Sequence, residues 1–285
     1  MKSVDGSGYM VITIFKRYSS ILSKLLHGNY TVSLALACAI PAHLNSFLPK
    51  RVTLPEGIKL ILNNPATLRY NIREDYDVQE YYRCKEFVPS KGNIVFDIGA
   101  YVGIYTLRNA KRVGDNGLVC AFEPNPSAFK YLVTNTEINK INNVKFFHIA
   151  LGDQTGTLPL YTHDGIHIES SSVFESHLEK WAGSARAFSK IEVKMDKLDN
   201  VIERLGISKI DIAKIDVEGA EGMVLRGSKE AMSGGVIKKF VIEAHEDIIP
   251  VDETLKLLRS FNYHIRHVLS IPSQLKSIIY ANQVE

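Results

Sequence analysis

From Asn93 onward the chain alternates short β-rich runs with helical patterns, and it closes on two strands with no helix between them. The strand signals fall at 94–98 (IVFDI), 118–122 (LVCAF), 144–149 (VKFFHI), 210–216 (IDIAKID), 236–243 (VIKKFVIE), near 262–266 (NYHIR) and near 277–281 (SIIYA). Helical patterns lie at 102–112, 126–140, 196–205, 220–232 and 252–260. Strands that alternate with helices are joined by crossovers, which builds a mostly parallel sheet covered on both faces. Only a loop with Ser270 and Pro272 separates the last two strands, so they pair antiparallel at an edge. The expectation is an α/β fold with a Rossmann-like, seven-stranded, mostly parallel sheet.

Two stretches lie outside that repeat. Residues 1–74 are read as an accessory or lid region, helical up to about Leu62, ahead of a main domain at 75–285. Within it, Gly28 to Pro49 holds no Lys, Arg, Asp or Glu, yet Pro41 and His43 interrupt it and it is short for a membrane span. It is read as a buried helix or helical pair, with a peripheral membrane contact as the alternative. The other stretch, Tyr161 to Lys190, is a His- and Ser-rich insertion between the third and fourth parallel strands. Insertions at that sheet edge commonly shape a substrate pocket. A net charge of +3 without a basic block gives no case for nucleic acid. Cys38, Cys84 and Cys120 are too far apart for a disulfide framework or zinc spacing, which fits a reducing, cytoplasmic setting. Cys84 sits among charges and is expected exposed; Cys120 sits in an apolar run and is expected in the core.

The turn after the first strand carries the first chemical signal. In VFDIGAYVGIYTL, Asp97, Gly99, Ala100, Tyr101 and Gly103 form a loop of the pattern D-x-G-x-x-x-G. Glycines there permit a tight turn and let a ligand approach the backbone at a helix start. A dinucleotide site would want G-x-G-x-x-G and no acid below it. Asp97 would repel a pyrophosphate but would hold an ammonium group. The second strand ends in Glu123 and Pro124, about where an acid accepts hydrogen bonds from both hydroxyls of a ribose. Taken together, these residues describe a nucleoside that carries an amino acid, S-adenosylmethionine. Asp153, in IALGD, closes the third strand within reach of an exocyclic amine such as that of adenine.

The densest stretch is KIDVEGAE, Lys214 to Glu221. It delivers Asp216 and Glu218 to a strand end, turns at Gly219, and places Glu221 in the first turn of a helix, where a carboxylate also suits the dipole. The next strand ends VIEAHE, with Glu243 and His245 at the same edge. Histidine titrates near neutral pH, which marks His245 as a candidate general base beside Asp216 and Glu218. No metal is needed for such chemistry. A divalent ion between Asp216, Glu243 and His245 is the alternative, and it requires more assumptions.

VFDIGAYVGIYTL, AFEPNP, IALGD, VKMDKL, KIDVEGAE and VIEAHE together resemble the FkbM family of S-adenosylmethionine-dependent methyltransferases, over about residues 75–281. The resemblance implies a class I methyltransferase fold, S-adenosylmethionine as donor, and O-methylation of a small-molecule, sugar or natural-product acceptor. It implies donor-binding roles for Asp97, Gly99, Gly103 and Glu123, and an adenine-side role for Asp153. Asp216, Glu218 and Gly219 match the family's fourth-strand signature. The family commonly has Asn where this chain has Tyr101, so donor binding is expected weaker or rearranged. A catalytically silent binding protein of the same fold, or a nicotinamide-dependent oxidoreductase, are the rival readings.

Overall fold

A computed structural model describes residues 51–61, 80–163, 171–176 and 188–284. The chain divides into two compact units, residues 1–72 and 73–285. In the first unit the described residues form a hairpin of β1 (Arg51–Thr53) and β2 (Lys59–Ile61), paired antiparallel with Arg51 opposite Ile61. The helical reading up to about Leu62 therefore fails at 51–61. Gly57, at φ +75°, turns the chain there, and the Leu54 N–H donates to the Ile58 carbonyl at 2.7 Å. The Gly28–Pro49 stretch and Cys38 lie outside the described residues.

The second unit begins with two 3-10 turns, Glu80–Tyr82 and Lys85–Phe87. Three strands follow, β3 (Ile94–Ile98), β4 (Leu118–Phe122) and β5 (Val144–Phe147), with α1 (Ile104–Val113) and α2 (Pro126–Ile138) as their crossovers. Asn125 caps α2, its side chain accepting from the N–H groups of Ser127 and Ala128, and Pro126 opens the helix without losing a bond. Next come β6 (Ala150–Leu151), β7 (Gly156–His163), β8 (Phe188–Asp196) and α3 (Leu198–Leu205). After β9 (Ile212–Ile215) the expected helix at 220–232 is two short ones, α4 (Glu221–Arg226) and α5 (Lys229–Ser233). The chain ends through β10 (Lys239–His245), α6 (Val251–Ser260), β11 (Tyr263–Ile271) and β12 (Lys276–Gln283).

The main sheet runs β11-β12-β10-β9-β3-β4-β5. β3, β4, β5, β9 and β10 pair parallel, and β12 lies antiparallel between β10 and β11. Alternation along the strands supplies two apolar faces. Phe96, Phe122, Ile215 and Phe240 pack on one side; Val95, Val119, Ile212 and Val241 meet Tyr82, Phe87 and Tyr105 on the other. Cys120 is in this core, and Cys84 is half-buried instead of exposed. A smaller sheet, β6-β8-β7, is the addition that sequence reasoning did not place; it is built from the flanks of the expected insertion. Among the described residues, no helix is long and apolar enough to cross a membrane.

Candidate active site

The carboxyl ends of β3, β4 and β9 share one cavity wall. Gly99 follows β3 with φ at +81°, and a Cβ there would stand 1.7 Å from the Asp216 carbonyl oxygen. The β3 loop thus rests backbone to backbone on the end of β9, which only glycine permits. The N–H groups of Gly99 and Ala100 both donate to the Phe122 carbonyl, at 3.0 and 2.9 Å. Tyr101 takes a left-handed φ of 49° and donates its N–H to Glu123 Oε2 at 2.8 Å. The other carboxylate oxygen of Glu123 accepts the Asn125 N–H, also at 2.8 Å. Asn adopts left-handed backbone more easily than Tyr, so the departure at Tyr101 adds strain that the bond to Glu123 helps to hold. Burial pushes the Glu123 carboxyl up to about 7, against the pull of those two N–H groups and of Lys214.

Gly99, Tyr101, Glu123, Pro124, Asp216 and Glu218 all line the cavity. Its apolar surface comes from Ile98, Phe122, Leu151 and Met223, and Leu158, Leu160 and Val173 of the insertion region complete it. The insertion is pinned there: the Ser172 hydroxyl donates to the Glu218 carbonyl at 2.6 Å, and Asn125 Nδ2 donates to the Ser171 hydroxyl at 2.7 Å. The cavity thus combines a close backbone approach at Gly99, an acid at Glu123 and an apolar slot.

Several expected residues stand elsewhere. Asp97 is fully buried beneath the loop: Thr106 donates to its Oδ2 at 2.5 Å, and Oδ1 faces Lys214 Nζ at 3.5 Å without a hydrogen bond. Burial pushes Asp97 up against the attraction of Lys214. It thus sits beneath the loop, between Thr106 and Lys214, and off the cavity wall. Gly103, at φ +95°, starts α1 against Leu132, and Ala100 is buried in the turn; both shape the loop from off the wall. Asp153 turns away to Arg226, with Oδ2 3.0 Å from Nε, so the adenine-side reading has no geometric support.

His245 lies behind the cavity. It is buried off the cavity wall, with Nδ1 2.9 Å from Glu221 Oε1 and Nε2 3.4 Å from Glu218 Oε2 and 3.7 Å from Glu243 Oε1. Burial alone would favour the neutral ring, but these carboxylates outweigh it and hold the imidazole pKa well above its ordinary value. Asp216, Glu218 and His245 each bring one donor atom within 4.8 Å of the others, the spacing a divalent cation would need. Both ring nitrogens face carboxylates, so the same residues also form an ion cluster around the imidazole.

Asp216 is the candidate base that lines the cavity. Burial would raise it, but Lys214, His245, Lys276 and the Tyr81 hydroxyl hold its carboxyl below the usual range. Lys214 Nζ lies 3.2 Å from Asp216 Oδ2 and donates to the Gly99 carbonyl at 2.8 Å, tying the base to the glycine loop. Lys214, Tyr81, Glu80 and Lys276 were missed from sequence. Lys214 left one signal, a lone cation inside the apolar run IDIAKID; the others lie too far along the chain to be linked to the site.

Residues 97–265, more than half of the chain, match the methyltransferase FkbM domain. Among curated relatives, methyltransferase sdnD of Sordaria araneosa is 29% identical over 180 residues, covering 56% of this chain and 68% of its own. The 31-O-demethyl-FK506 methyltransferase FkbM of Streptomyces tacrolimicus is 26% identical over 235 residues, covering 74% and 88%. The 2-O-methyltransferase NoeI of Sinorhizobium fredii is 28% identical over 181 residues, covering 59% and 72%. The chain belongs to the FkbM family of S-adenosylmethionine-dependent methyltransferases.

Proposed function

We propose that this protein is an O-methyltransferase whose acceptor is a hydroxyl on a small molecule, sugar or natural product. One observation carries the reading: a carboxylate held ionised, Asp216, stands on the same cavity wall as Gly99, Tyr101 and Glu123. The names of two relatives point the same way, since one acts on a 31-O-demethyl compound and the other is a 2-O-methyltransferase.

In this reading Glu123, Gly99, Tyr101 and Pro124 hold the donor, and Asp97, Ala100 and Gly103 keep the loop in shape. S-adenosylmethionine, when bound, supplies a methyl group on a sulfonium, an electrophile that needs no further activation. The protein's part is alignment, exclusion of water, and a base for a hydroxyl of high pKa. Asp216 takes the acceptor proton, while Glu218, on the same wall, orients the acceptor. His245 acts as a fixed cation that spaces Glu218, Glu221 and Glu243.

Titration calorimetry followed by a screen of hydroxylated compounds with labelled donor tests the proposal. The expected result is heat with S-adenosylmethionine and none with NAD, then label on a hydroxyl oxygen, lost in Asp216→Asn. Donor binding without transfer to any hydroxyl would favour a silent binding protein. Label on nitrogen or carbon would refute the O-methyl assignment.

A further inference from the structure

The Tyr81 hydroxyl touches two carboxylates at once. It lies 3.0 Å from Asp216 Oδ2 and 2.6 Å from Glu243 Oε2. A phenol has one proton to donate, and an ionised carboxylate has none. Both contacts become hydrogen bonds when one of the two acids carries a proton and donates it to the Tyr81 oxygen. We propose that Asp216 and Glu243 share a single proton across Tyr81, with Glu243 as its holder and Tyr81 as the positioning residue that presents an ionised Asp216 to the cavity.

The surroundings decide which acid holds the proton. Asp216 Oδ2 receives Lys214 Nζ as well as the Tyr81 hydroxyl, and its side chain is 23% exposed at the cavity. Its Oδ1 makes no hydrogen bond among the described residues, so it is available to an acceptor. Glu243 is more deeply buried, at 8%. Lys276 Nζ faces Glu243 Oε1 at 2.9 Å but is shared with Glu80 Oε2 at 3.1 Å. The other charges that face Glu243 are Asp216, which repels a second negative charge, His245 on its own strand and Lys214 from β9. Burial and Asp216 push the Glu243 carboxyl up, in keeping with its holding the proton. Two carboxylates bridged by one hydroxyl behave as a pair with one proton between them. The resting pair then has an acceptor on the cavity side: as the acceptor oxygen bonds to the methyl carbon, the donor's carbon–sulfur bond breaks with its electron pair left on sulfur, the hydroxyl proton passes to Asp216, and Asp216 releases it to water once the products have left.

The proposal rests on Asp216 being the base, and its test reads the proton directly. Infrared spectra of the full chain at pH 7, without donor or acceptor, compare the unmodified protein with Glu243→Gln, Tyr81→Phe and Asp216→Asn. A protonated-carboxyl stretch is expected in the unmodified protein, weaker in Asp216→Asn, where the repelling charge is gone, and its loss is expected in Glu243→Gln. In Tyr81→Phe the band should move to higher frequency, because the acid loses its acceptor, and the pH at which label transfer begins should move upward. A spectrum unchanged by Glu243→Gln, or a band indifferent to Tyr81→Phe, would overturn the shared proton. Missing the Glu243 band while label transfer persists sinks this placement alone. Finding the band with no transfer to any hydroxyl sinks only the O-methyltransferase reading. Should Glu243→Gln fail to fold, the Tyr81→Phe shift decides by itself.

Discussion

At Glu123 the chain sets a carboxylate among buried neighbours that push its pKa up to about 7, where small changes of pH change its charge. Two backbone N–H groups already donate to it, and each oxygen retains a lone pair for a ribose hydroxyl. Only the ionised acid can accept both hydroxyls, so donor affinity should strengthen as pH rises through 7 and fall by up to about tenfold per pH unit below it. Calorimetry from pH 5.5 to 8.5 checks this. Glu123→Ala should lose roughly 1.5–3 kcal/mol per hydroxyl bond and flatten the pH dependence. A flat profile in the unmodified protein would remove Glu123 from the donor site. The position of this acid was legible from its distance to the glycine loop. The directions of Asp97 and Asp153 were not, because spacing delivers an acid to a strand end but does not say which cation will claim it. Lys214 claims the first and Arg226 the second. The partners of His245 were not legible for a related reason: the carboxylates of Glu218, Glu221 and Glu243 come from separate positions and converge on the ring only after folding.

Among the elements, the helix expected at 220–232 breaks at Gly227 and Ser228 for a reason outside the helix. A Cβ on Gly227 would stand 1.8 Å from the Gly152 carbonyl oxygen, so the chain after β6 passes directly over this point. Its backbone, at φ −83°, is ordinary for any residue. Propensity alone predicts that Gly227→Ala stabilises by about 1 kcal/mol. The contact predicts the reverse, a loss on the order of several kcal/mol, since one backbone cannot yield to another as a flexible side chain would. Thermal unfolding decides between the two signs. Periodicity revealed the long elements because their apolar faces repeat many times. The small sheet had a weaker but readable trace, with Ile191, Val193 and Met195 alternating with Lys190, Glu192 and Lys194. Pro159 on its partner β7 hid the other half.

Across the whole molecule, the last strand holds the site's charge in balance. Lys276 opens β12 and stands between Glu80, from the first described turn of the main unit, and Glu243 of β10, itself only 5% exposed. Lys276→Met would leave buried carboxylates without their cation, a loss on the order of 3–5 kcal/mol. Glu243, pushed up by burial and by Asp216, can meet the loss with its proton, so stability should fall further as pH rises and that proton is lost. Unfolding at pH 5 and pH 8 is the check: equal losses at both would mean that Lys276 contributes packing alone. The seven-stranded order itself was readable from five crossovers and a closing pair of strands. The bond from Lys276 to Glu80 was not, since nearly the whole unit separates those residues in sequence.

The place of β12 in the sheet also sets an order of events during synthesis. Domains made on the ribosome emerge from the N-terminus, and early segments wait for later partners. By the time His245 has been added, the chain already holds Gly99, Glu123, Asp216 and Glu243. It still lacks the strand that covers the open edge of β10 and the cation that faces Glu243. A nascent chain paused there carries an unpaired strand edge, and its acid still lacks Lys276. That acid discourages the edge from pairing with a neighbouring chain, because a second carboxylate brought alongside would repel it. The same residue that holds a proton in the finished protein thus guards the unfinished one until β12 arrives.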